Sequence, residues 1–77
     1  MKKIIFKRNN NQGIIMLKIL SLFRDKNIIL SLEEISKYLK MYEDKDEILI
    51  ELTGIDTEKI NELIAELDDE DVNYEVI

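Results

Sequence analysis

Cysteine, histidine and proline are all missing from this 77-residue chain, and glycine occurs only twice. Without cysteine there is no disulfide and no thiolate metal site. Without histidine the commonest general base and zinc ligand are gone. Two isolated glycines cannot build a phosphate-cradling loop. The expectation is a non-enzymatic protein with no catalytic residues, no metal and no cofactor. Long apolar runs are scarce too. The longest, Ile14 to Phe23, is broken by Lys18 and Ser21 and followed by Arg24-Asp25-Lys26-Asn27. It is too short to span a bilayer, and no small-residue cleavage site follows it. Although Lys2, Lys3, Lys7 and Arg8 precede this run, neither a signal peptide nor a membrane span is expected, and the compartment implied is the cytoplasm.

What is present is a well-mixed composition, 45% hydrophobic and 36% charged, which favours a folded chain over a disordered one. The length suits one domain over residues 1–77. The net charge of −6 hides an uneven distribution. Residues 1–40 carry nine Lys/Arg against three Asp/Glu, a net +6; residues 41–77 carry two against fourteen, a net −12. Such a bipolar surface suits a charged partner, or a second copy head to tail.

Periodicity assigns most elements. Lys2 to Arg8 reads as a strand, with Ile4 and Phe6 on one face and Ile5 on the other. Asn9, Asn10 and Asn11 break it, to turn the chain or cap the next helix. Gly13 to Asp25 reads as a helix with a polar stripe so narrow that it is either the central helix or a homodimer contact through Ile15, Leu22 and Phe23. Ile28 to Leu30 could form a three-residue strand. Ser31-Leu32-Glu33-Glu34 matches a capping box opening a helix to Tyr42, with Leu32, Ile35, Leu39 and Tyr42 as its stripe. Val72 to Ile77 reads as a strand able to pair with Lys2 to Arg8.

The stretch from Asp46 to Leu67 reads as a helix-turn-helix. Ile48, Leu49 and Leu52 supply one apolar stripe, Gly54 the left-handed turn, and Ile55 the plug. Asp56 or Thr57 caps a second helix whose stripe is Ile60, Leu63, Ile64 and Leu67. On these residues the chain resembles the winged helix-turn-helix superfamily. It departs from that family at Ile50, where a small residue usually stands four before the turn glycine. The order of long helix, short strand and capped helix from Gly13 extends the resemblance over residues 13–77. The fold expected is α+β and mostly helical, a small winged-helix-like domain of three to four helices with short strands at both termini.

Glu47 to Thr53 also fits a strand, with Ile48, Ile50 and Leu52 alternating at period two. The alternative fold is then a ferredoxin-like α/β sandwich. Asn11-Gln12-Gly13 and the helix after it resemble the first strand-to-helix turn of ACT domains, which implies an amino-acid-sensing regulatory domain. Its second strand would fall on Ser31 to Tyr42, where the pattern is helical.

The winged-helix resemblance implies DNA binding, with Lys2, Lys3, Lys7, Arg8, Lys37 and Lys40 as candidate phosphate contacts. The charges oppose it, because the outward side of the second helix carries Glu58, Asn61, Glu62 and Glu66, with Lys59 its only cation. The Asp68-Asp69-Glu70-Asp71 cluster lacks the alternate spacing and glycine of a calcium loop. The preferred function is a small acidic protein-interaction module. It would act as an adaptor or an inhibitor, docking on a basic or nucleic-acid-binding protein through Glu58, Glu62, Glu66, Asp68, Asp69 and Glu70.

Overall fold

In the computed structural model, which describes residues 2–77, the first regular element is strand β1 (Lys3–Lys7). Met1 lies outside the described residues. After β1 come a 3-10 turn at Arg8–Asn10, helix α1 (Met16–Asp25), helix α2 (Leu32–Lys45), strand β2 (Glu47–Glu51), helix α3 (Thr57–Asp69) and strand β3 (Glu75–Val76). The result is a small α+β domain of three helices on a three-stranded antiparallel sheet. The strand order is β2-β1-β3, so the first strand is the central one. No helix among the described residues is long and apolar enough to cross a membrane.

The helix expected over Glu47–Thr53 is a correction: those residues form β2 and its exit turn. Both periods fit the segment locally, but seven residues are too few to hold a helix by themselves. Extended, the segment gains a full ladder with β1, in which Ile4 faces Ile50, Ile5 faces Leu49 and Phe6 faces Ile48. Ile48 and Ile50 then point into the core and are buried. Ile50, too large for a close helix crossing, suits a β-strand because its branched side chain packs on a pleated surface. The helix-turn-helix of Asp46–Leu67 is thus a strand-turn-helix. Gly54 still takes a left-handed turn, with φ at 80°, but it connects β2 to α3.

Other differences are local. Ile28–Leu30 forms no strand; it is a turn whose Ile29 plugs the core. Asp56 stands at the α3 N-cap without a side-chain cap bond, and the asparagines after β1 do not cap α1, whose N-cap is Ile15. Ser31 does cap α2, its Oγ accepting the Glu34 backbone N–H at 3.3 Å. With so few glycines, the chain follows its helices with Asn27, Asp46 and Asp71 at φ of 60°, 59° and 56°. These short polar side chains tolerate the left-handed region better than other non-glycine residues.

The core lies between the helices and one face of the sheet. Ile4 and Phe6 of β1 meet Ile48 and Ile50 of β2, Ile19, Leu20 and Phe23 of α1, and Leu63 and Leu67 of α3. Phe6 and Phe23 pack edge to face at 5.8 Å and 83°, a geometry worth about 0.5–1.5 kcal/mol beyond burial. Helix α1 sits between α2 and α3, and α2 packs over β2. Phe23, expected at a dimer contact, is fully buried within its own chain; Leu22 is half-buried and Ile15 is 69% exposed.

Asn11 is the buried polar residue of this core. Its Nδ2 donates to the carbonyls of Lys7 and Asn73, both at 2.9 Å, and its Oδ1 accepts the Asn73 backbone N–H at 2.7 Å. Asn73 returns a bond from its own Nδ2 to the Asn10 carbonyl at 2.6 Å. One primary amide thus continues the β1–β3 pairing beyond the strands. Replacing Asn11 by Ala strands three backbone groups at once. It is expected to cost about 2–3 kcal/mol in urea unfolding, whereas the exposed Asn9→Ala costs little. Equal costs would show that the clamp is dispensable.

Candidate functional site

The acidic positions singled out from the sequence are brought together on and just beyond α3. That helix buries Ile60, Leu63 and Leu67 at helical spacing, which turns Glu58 and Glu62 outward and leaves Glu66 half-exposed on the same side. The four-residue steps from Glu58 to Glu62 to Glu66 make one line of carboxylates, and Asp69 continues it by three. Like charges at this spacing repel, so the ridge needs cations nearby.

The cations come from α1. The Lys26 Nζ lies 3.5 Å from carboxylate oxygens of both Glu62 and Glu66, with its side chain only 15% exposed. The Lys18 Nζ lies 2.9 Å from Glu70. Because Lys18 near the start of α1 meets the end of α3, the two helices run antiparallel, joined at the end of α3 and near its middle. Asp68 is also engaged, accepting the Tyr74 hydroxyl at 2.9 Å. Burial first, and then this hydrogen bond and the Asp68 charge, push the Tyr74 phenol above its ordinary value. Among the described residues, Glu58 and Asp69 remain exposed with no cation in ion-pair range. The ridge is therefore not uniformly bare: its middle is clamped and its two ends are free.

The basic candidates do not gather into one surface. Lys3 and Lys7 lie on the outer face of the sheet, directly opposite Glu51 and Glu47. Lys7 also reaches Glu75 on the other neighbouring strand, at 3.8 Å. The Arg8 Nε is 3.0 Å from Asp46 Oδ1, out of line for a hydrogen bond, so the contact is an ion pair. Its Nη2 donates to the Tyr42 carbonyl at 2.9 Å, and its guanidinium lies 4.7 Å over the Tyr42 ring. Lys2 is exposed ahead of β1, and Lys37 and Lys40 are exposed on α2. Each basic residue of the sheet is flanked by carboxylates, so a polyanion would meet both signs there.

Lys26 and Lys18 were not separable by sequence from other solvated lysines. Their partners lie many residues away, and only the antiparallel packing of α1 on α3 brings them within reach. No family model matches the chain, and no curated protein or solved structure matches it either.

Removing Lys26 leaves Glu62 and Glu66 to repel one another across one helical turn. Lys26→Ala is expected to lower stability by about 1 kcal/mol at low ionic strength and by less in high salt. Urea melts at two salt concentrations check this, and a salt-independent loss would mean that the lysine acts only through its packed stem.

Proposed function

We propose that this chain is a non-enzymatic protein-interaction module, an adaptor or an inhibitor, that presents fixed carboxylates to a basic protein, including a nucleic-acid-binding one. The observation that carries this reading is the ridge on α3, where Lys26 holds Glu62 and Glu66 in place between the free charges of Glu58 and Asp69. Flexible glutamates lose side-chain entropy when a partner orders them. Two of these are paired with Lys26, so the ridge meets a basic surface with that cost partly reduced. The concentration of negative charge in residues 41–77 adds long-range attraction, which speeds encounter and weakens with salt. Compensating lysines reach the ridge from the α1 side.

The test uses the two free ends and spares the clamp. A chain carrying Glu58→Lys and Asp69→Lys keeps the Lys26 and Lys18 contacts, so its circular dichroism and melting temperature are expected to match the parent. In nuclease-treated native lysate, the parent is expected to retain one or a few basic proteins in a salt-dependent manner. The double variant is expected to retain them roughly tenfold less, since two charge contacts are reversed. Equal retention by both chains removes the ridge from the interaction.

A further inference from the structure

Strand β2 lies at the edge of the sheet and uses one side of its backbone. Leu52 N–H bonds to the Lys2 carbonyl and Arg8 N–H to the Asp46 carbonyl. Antiparallel alternation then directs the backbone groups of Ile48 and Ile50 toward β1 as well. By the same parity, the N–H and C=O groups of Glu47, Leu49 and Glu51 point to the open edge. Among the described residues, none of the three makes a backbone bond beyond the sheet.

The side chains along that edge alternate in charge and burial. On the outer face Glu47 and Glu51 are exposed and Leu49 between them is half-buried. Neither glutamate has a cation in ion-pair range among the described residues. The chain itself contains the complement to this pattern: Lys3, Ile5 and Lys7 of β1 stand opposite Glu51, Leu49 and Glu47. The open side of the same three residues offers the same order of charges to another strand. A second copy of β2 does not fit, because antiparallel pairing about Leu49 sets Glu47 of one copy against Glu51 of the other.

We propose that the β2 edge receives an extended segment of a partner protein, antiparallel, with Lys or Arg facing Glu51 and Glu47 and a branched apolar residue facing Leu49. Main-chain bonds supply the attachment and the two cations set the register. The intervening side chains of the added strand fall on the inner face beside Ile48 and Ile50. Helix α2 overlies β2 there, with Tyr38, Leu39 and Tyr42 half-buried along it. The Tyr38 phenol is raised above its ordinary value by burial first, then by the charges of Glu34 and Glu51. This surface is distinct from the α3 ridge and does not depend on it.

The probe is a synthetic peptide, acetyl-Thr-Lys-Val-Ile-Val-Lys-Thr-amide, and its control carries glutamate in place of both lysines. Each is titrated into the full chain while backbone amide resonances are followed by NMR. The lysine peptide is expected to give saturable shifts centred on the amides of Glu47, Leu49 and Glu51, and the control none. Leu49→Pro removes an outward donor while sparing the ladder with β1; it is expected to weaken binding roughly tenfold. Equal shifts with both peptides, shifts centred on α3, or no shifts at millimolar peptide would each overturn the proposal. The two-peptide comparison needs no variant, so it decides the matter even where the proline chain fails to fold.

Discussion

The fold depends on β1 having a strand on each side of it. Its two partners are made late in the chain, β2 after two helices and β3 at the far end. Both pairings close long loops, and the ordering cost of such loops has to be met before the ladder bonds return it. Three features of the strand offset that cost. Its inner residues, Ile4 and Phe6, reach the middle of the core. Its outer residues, Lys3, Ile5 and Lys7, match Glu51, Leu49 and Glu47 in charge and polarity, so a shifted register would set lysine against leucine. Just past its end, Asn11 fastens the chain to Asn73 and thereby holds the short β3 in place.

Much of this was legible in the sequence because it is local. The alternation in Lys2–Arg8 gave the central strand, and the Ser31 capping box gave the start of α2. The apolar stripe Ile60, Leu63, Ile64 and Leu67 gave α3, and the terminal β-pattern over Val72–Ile77 gave the pairing of both chain ends, though the strand itself is only Glu75–Val76. Glu47–Thr53 was not decidable locally, since Ile48, Leu49 and Leu52 suit a helix as well as Ile48, Ile50 and Leu52 suit a strand. What decided it was a partner strand more than forty residues earlier, to which a single-segment pattern is blind. The same holds for Asn11, one of three consecutive asparagines, and for Phe23, whose place opposite Phe6 takes it away from any subunit contact. The helix endings at Asn27, Asp46 and Asp71 were hidden for a different reason. Glycine is the usual signal for a left-handed residue, and this chain uses asparagine and aspartate instead.

The candidate site divides along the same line. That Glu58, Glu62 and Glu66 share a face of α3 follows from helical spacing alone. That Glu62 and Glu66 are tied to Lys26, and Glu70 to Lys18, follows only from how α1 lies against α3. The packing changes the ridge from a uniform acidic surface to one with an ion-paired centre and two ends without cation partners among the described residues. It also separates two kinds of acidic surface: a line of carboxylates along a helix, and a pair of carboxylates on an edge strand.

All of this requires Glu47–Glu51 to run extended and antiparallel beside Lys3–Lys7. In that arrangement Lys3–Glu51, Ile5–Leu49 and Lys7–Glu47 are the close, non-hydrogen-bonded pairs, whose α-carbons approach most nearly. Nuclear Overhauser spectra of the full chain should then show strong cross-peaks between the α-protons of Ile5 and Leu49 and of the two flanking pairs. Helical contacts between residues three apart within Glu47–Thr53, with none to β1, would contradict the account.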